Sequence, residues 1–252
     1  MLFSALSLNV LLAVAAFALP TAKERFDART ARRSRGSSQP KITNATHVEY
    51  SSNWAGSVIS TGAGTWQTVE GTFTVPVPSS PNGQPAAASA WVGIDGDTCG
   101  NAILQTGLDF VIEYGAVSYD AWFEWYPDYA YDFSGISFSP GDSVTLIVQA
   151  ASTTLGYAYV INNSNGQEVG VEIESPYALC EQDAEWIVED FEENGGLVPF
   201  ADFGTVTFTN AVATTNAGQQ FGAGSGTVFD IYQNSQLTSV STSGSSVTIS
   251  YV

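Results

Sequence analysis

Beyond residue 48 the chain is dominated by short runs in which apolar and polar positions alternate with a period of two. Gly71-Thr72-Phe73-Thr74-Val75, Val144-Thr145-Leu146-Ile147-Val148, Thr205-Val206-Thr207-Phe208-Thr209 and Val247-Thr248-Ile249-Ser250-Tyr251 are examples, rich in β-branched and aromatic residues. Glycine, serine, asparagine and proline punctuate them at close spacing, the pattern of strands joined by turns. Glu185-Trp186-Ile187-Val188-Glu189-Asp190-Phe191 fits a helix or a strand by spacing. Its β-branched content and its neighbours favour a strand, with Glu185, Ile187, Glu189 and Phe191 on one face. Pro76 to Ala88 has no periodicity and reads as a surface loop. The expected architecture is all-β, a sandwich of two antiparallel sheets.

The pattern before residue 42 is different. Leu2 to Leu19 is largely apolar and ends in Ala16-Phe17-Ala18, a small-x-small cleavage pattern, so residues 1–18 read as a signal peptide. A membrane anchor fits less well, because the run is short and interrupted by Ser4, Ser7 and Asn9. Residues 19–41 are polar and basic, with Arg32-Arg33 and the patch Gly36-Ser37-Ser38-Gln39-Pro40, and read as a pro-segment. Residues 42–252 are then one domain, long enough to bury a full core. The expected product is secreted and extracellular, with no membrane partner. Cys99 and Cys180 are the only two cysteines, an even number in an exported chain, and are expected to pair.

Charge sharpens this division. All seven basic residues lie between Lys23 and Lys41, whereas all but two of the 25 acidic residues lie beyond Lys41. At neutral pH such a domain repels itself, with no counter-charge of its own. Near pH 3 ordinary carboxyl pKa values would leave it a charge of roughly -2. The domain is therefore expected to be most stable in acid, and its pro-segment to bind it electrostatically until acid or cleavage releases it. Solubility or salt tolerance would also tolerate acidity, but neither requires every lysine and arginine to be absent.

The same scarcity removes most chemistries. His47 is the single histidine, so a Ser-His or Cys-His nucleophile would depend on it alone. Lysine chemistry, phosphate loops, zinc motifs and a nucleic-acid partner are excluded. Asp95-Gly96-Asp97 suggests calcium, yet the rest of an EF-hand loop does not follow, so neither metal nor cofactor is expected. Carboxylates, carboxamides and hydroxyls remain. They gather with aromatics in Trp91 to Gly107 and in Tyr119-Asp120-Ala121-Trp122-Phe123-Glu124-Trp125-Tyr126-Pro127. From composition alone these could equally be a glycan platform with two carboxylates for glycoside hydrolysis, or an aromatic core strand.

These stretches resemble the glutamic peptidases, the eqolisin family of fungal acid endopeptidases. The resemblance runs through Tyr50-Ser51-Ser52-Asn53-Trp54-Ala55-Gly56, Gly71 to Pro76, Ala90 to Cys99, Ala102-Ile103-Leu104-Gln105-Thr106-Gly107, Tyr119 to Tyr126 and Ala184 to Phe191. It implies a lectin-like sandwich with a cleft on a concave face, acting on protein and peptide substrates. It places the catalytic pair on Gln105 and Glu189, not Glu185, with Trp54, Trp91, Asp95, Asp109, Asp120, Trp122 and Glu124 around them. It also implies a Cys99–Cys180 disulfide bracing both catalytic strands. Inhibition by the chain's own pro-segment, through its opposite charge, and a monomer are expected as well. The basic excised segment of one type within the family has no counterpart in Pro76 to Ala88, which holds no basic residue, so a single mature chain is expected. A secreted glycan-binding or glycan-hydrolysing sandwich is the alternative. Asn44-Ala45-Thr46 and Asn162-Asn163-Ser164 are glycosylation sequons, and Asn162, in an expected turn, is the better placed.

Overall fold

The structure, a computed structural model, describes residues 48–193 and 196–252. The leader, the basic segment, the Asn44 sequon and His47 lie outside the described residues. The alternating runs become strands in chain order: β1 (Val48–Ser51), β2 (Trp54–Ser60), β3 (Trp66–Thr74), β4 (Ala86–Ile94), β5 (Ile103–Glu113) and β6 (Ala116–Tyr126). Next come β7 (Tyr131–Asp132), β8 (Ser143–Ser152), β9 (Leu155–Asn162), β10 (Gln167–Glu174), β11 (Asp183–Glu189), β12 (Glu192–Glu193) and β13 (Gly196–Leu197). The last are β14 (Thr205–Thr215), β15 (Gln220–Gly222), β16 (Thr227–Gln233), β17 (Ser235–Gln236), β18 (Thr238–Ser243) and β19 (Ser246–Tyr251). The loop read as Pro76 to Ala88 ends sooner, because Ala86 to Ala88 already pair with β5.

The strands form two sheets. One has the order β1-β16-β2-β11-β4-β5-β6-β7, with β17 on β16; the other runs β10-β9-β8-β3-β14-β19-β18, with β15 on β14. Pairing between the named strands is antiparallel except for β1 with β16. Period-two alternation sorts the side chains of the first sheet. Ala88, Ala90, Val92 and Ile94 of β4, Leu104, Leu108 and Phe110 of β5, and Ala184, Trp186 and Val188 of β11 point into the sandwich. There they meet Val69 and Phe73 of β3, Leu146 and Val148 of β8, and Val206 and Phe208 of β14. Phe73 touches Phe110 and Phe208 edge-on at 6.1 and 5.4 Å, and the Trp186 indole donates across the layers to the Glu70 carbonyl at 2.8 Å. The small alanines of β4 leave room for these large rings.

The residues between them point to the other face. A second apolar cluster forms there from Trp54, Val58, Trp91, Ile103, Trp122, Ile187 and Phe229. At one end of this face, Cys99 and Cys180 are joined in a disulfide with Cα atoms 6.2 Å apart. It ties the loop that precedes β5 to the loop that precedes β11. With both sulfurs bonded to each other, neither is free to bind a metal.

Asn162 is a correction. It ends β9 fully buried, its amide N–H groups donating to Ser137 O at 2.9 Å and Asp142 Oδ2 at 2.8 Å. Its oxygen accepts from the Ser164 and Asn165 amides. The amide organises a turn and has no solvent-facing hydrogen to give up to a glycan.

Candidate active site

Strand register, set by the hydrophobic alternation, lays the outer face of the first sheet out in rows. Trp54, Glu189, Ser89, Asp109 and Asp120 lie side by side across β2, β11, β4, β5 and β6. The next row is Gly56, Ile187, Trp91, Gly107 and Trp122, and the one after it Val58, Glu185, Gly93, Gln105 and Glu124. Eight of the nine expected catalytic and surrounding residues therefore share one face, Asp95 being the exception. Gln105 and Glu189 are two strands and two rows apart, with the indole of Trp91 in the row between.

Glu189, Glu124 and Asp109 accept from neutral donors. Glu189 accepts from Asn53 Nδ2 at 3.0 Å on one oxygen and from Trp91 Nε1 at 2.9 Å on the other. It is buried but not sealed, at 8% exposure. Trp91 is itself fixed edge-on against Trp54, ring centres 5.0 Å apart. Gln105 donates from Nε2 to Glu124 Oε2 at 3.1 Å, and its Oε1 is buried with no hydrogen-bond partner among the described residues. Trp122 Nε1 donates to Ser89 Oγ at 3.1 Å, which donates to Asp109 Oδ1 at 2.6 Å. That chain exists because Gly107 has no side chain: a Cβ there would lie 2.4 Å from the Trp122 ring. Asp120 is half-buried directly opposite Asp109 on the neighbouring strand.

Asp95 stands apart. It sits in the turn after β4 with a left-handed φ of 69°, and its carboxylate accepts the backbone amides of Cys180, Glu181, Gln182 and Asp183. Asp183 returns the contact, accepting from Thr98 N and Oγ1 and from Cys99 N. Asn53 and Ser89 were not singled out from sequence. Asn53 lay inside a matched stretch, and Ser89 is the one hydroxyl in the run Ala86 to Ala90.

The buried acids are shifted toward their neutral forms. Burial, then repulsion from Asp183, Asp95 and Asp97, pushes Glu185 well above the usual carboxylate range. Burial likewise raises Asp95 against its four backbone donors. It pushes Asp190 to about 7, opposed by a Gln233 hydrogen bond and helped by the Glu189 charge, and it pushes Asp230 to about 6.

The Peptidase A4 family profile matches residues 52–251. The chain is 47% identical to Aspergillopepsin-2 of Aspergillus niger over the full length of both, and 43% identical to Scytalidopepsin B of Scytalidium lignicola over 83% of this chain and 81% of that one. Among solved structures, scytalido-glutamic peptidase with a transition state analog inhibitor superposes with a TM-score of 0.73 at 44% identity, covering 80% of this chain and 98% of that chain. Aspergilloglutamic peptidase from Aspergillus niger gives a TM-score of 0.64 at 58% identity, covering 66% and 99%. Fold, face and relatives define a peptide-bond hydrolase on a β-sandwich. The chain belongs to the Peptidase A4, or eqolisin, family of glutamic peptidases.

Proposed function

We propose that the chain is a secreted acid endopeptidase in which Glu189 and Gln105 hydrolyse peptide bonds of protein substrates. The observation that carries this reading is the setting of Glu189. Its two oxygens are held by an amide and an indole, donors that keep their protons at any pH and bring no charge, so the carboxyl can still exchange a proton with substrate. A water between Glu189 and the scissile carbonyl gives a proton to Glu189 as its oxygen bonds to the carbonyl carbon, and the carbonyl electron pair moves onto oxygen. Gln105 Nε2 has a second hydrogen beyond the one given to Glu124, and it stabilises that oxyanion. Glu189 then returns the proton to the amide nitrogen as the C–N bond breaks. A carboxamide suits acid because it remains a donor there and adds no negative charge. A tripeptide and a transition state analog bound to relatives support peptide substrates. The leader at 1–18, release of 19–41 as an inhibitory pro-segment, a single mature chain and a monomer belong to the same reading.

Glu189→Gln and Gln105→Ala are expected to lower kcat at least about 100-fold at pH 3.5 on a denatured protein, with unchanged circular dichroism. The same preparation should leave polysaccharides intact. Cleavage of glycan without proteolysis would sink the proposal, as would full activity in either variant.

A further inference from the structure

Glu185 is a polar residue on this face that the mechanism does not use, and among the described residues it is the one whose two carboxyl oxygens are both buried without a hydrogen-bond partner. It is fully buried. The Gln105 Oε1 atom is buried and unpartnered in the same way, and Glu185, Gly93 and Gln105 are consecutive in one row. Adjacent strands lie about 4.8 Å apart, so the two Cα atoms are roughly 10 Å apart, a gap that two extended five-atom side chains close. Each leans the right way. Glu185 Oε1 lies 3.2 Å from where a Cβ of Gly93 would stand, so the carboxyl already overhangs β4. Gln105 turns Nε2 toward Glu124 on β6, so Oε1, on the other branch of the planar amide, is directed away from Glu124 and stays buried.

We propose that Glu185 is a positioning residue that donates a hydrogen bond from its carboxyl O–H to Gln105 Oε1 over Gly93, with at most one water between them. The inference rests on the role assigned to Gln105. With Oε1 accepting from Glu185 and Nε2 donating to Glu124, the amide cannot flip, and its remaining N–H is aimed at the substrate. Two buried groups that would each be costly to leave unpaired satisfy each other.

The surroundings keep the proton on Glu185. Asp183 on its own strand and Asp95 and Asp97 in the turn after β4 face it as acids; β2 places Val58 opposite, and β6 contributes only Glu124, beyond Gln105. The oxygens of Asp95 and Asp183 are occupied by backbone amides and the Thr98 hydroxyl, so these two acids repel a Glu185 carboxylate. No lysine or arginine occurs beyond Lys41 to stabilise it. Burial and these acids push its pKa well above the usual range, and the donor persists throughout the acid region.

The test is kcat and KM against pH for the secreted, processed enzyme on a peptide substrate. Glu185→Gln keeps a donor at every pH. Its kcat should stay within about threefold of the parent in acid, and the alkaline limb of its kcat profile should move to higher pH. Glu185→Leu keeps the volume and removes the donor. It should lose roughly tenfold or more in kcat at unchanged KM. The inference is overturned by a folded Leu variant with parental kcat, by a Gln variant as slow as the Leu variant, or by an unmoved alkaline limb. If the Leu variant does not fold, the Gln profile decides alone. Gln105→Ala, assayed alongside, separates the two levels: an active Gln105→Ala removes the functional reading, whereas an inactive one beside a parental Glu185→Leu removes only this inference.

Discussion

Two glutamates four residues apart on one strand face have opposite surroundings, and nothing in the stretch Glu185 to Glu189 announces it. Register decides. Glu189 falls beside Trp54 and Ser89, within reach of Asn53 and Trp91, whereas Glu185 falls between Val58 and Gly93. The resemblance to glutamic peptidases separated the two residues; the alternation by itself only put them on the same face. Gly107 shows the same dependence on neighbours. A methyl group there would meet the Trp122 ring at 2.4 Å and the Ala90 carbonyl at 2.7 Å, so the indole would have to leave Ser89, which in turn orients Asp109. Gly107→Ala is expected to cost about 1–3 kcal/mol and to lower kcat/KM at least about tenfold, readable from thermal melts and from tryptophan fluorescence alongside kinetics.

At the scale of elements, β5 and β11 carry the proposed pair, and both are anchored where they begin. The turn after β4 gives Asp95 to the amides of residues 180–183, and the start of β11 gives Asp183 to Thr98 and Cys99. The Cys99–Cys180 disulfide closes the same junction. Asp95, read from sequence as a neighbour of the site, is thus a brace between two loops. Asp95→Asn would turn an amide N–H toward backbone donors that now have an acceptor. About 2 kcal/mol of lost stability follows, or a fall in Tm of about 4–8 °C at pH 4. An unchanged Tm would mean the loops are held by the disulfide alone.

At the scale of the whole molecule, two features predict greater stability in acid. Its net charge beyond residue 41 is almost wholly negative and fades as carboxyls protonate. Its buried acids add a specific term. Asp190 and Asp230 have folded pKa values of about 7 and 6 against an ordinary 3.8, and Asp95 and Glu185 are shifted the same way. A carboxyl raised on folding binds its proton more tightly in the native state. Its contribution is therefore complete below about pH 4 and is lost as pH rises through about 6 and 7. Tm is expected to be higher at pH 3.5 than at pH 7 by calorimetry, and Asp190→Asn should lessen the difference. A higher Tm at pH 7 would contradict both.

Composition and period-two patterning alone carried the all-β class, and they set the expectation of an acid setting and of carboxyl and carboxamide chemistry, because these depend on which groups the chain possesses and which face each strand buries. The matched stretches added the expectation that Gln105 and Glu189 form the catalytic pair, and the cysteine pairing that the fold contains. Register between strands far apart in sequence is a tertiary property, and only it could decide which groups meet. It brought Asn53 and Trp91 to Glu189, laid Trp122 over Gly107, turned Asp95 to the loop of residues 180–183 and buried the Asn162 amide that the sequon had offered to solvent. The wealth of carboxyls and the lack of basic groups were written in the residues present, but what each carboxyl does depends on its donors and its access to water, and those come from the opposite side of the fold.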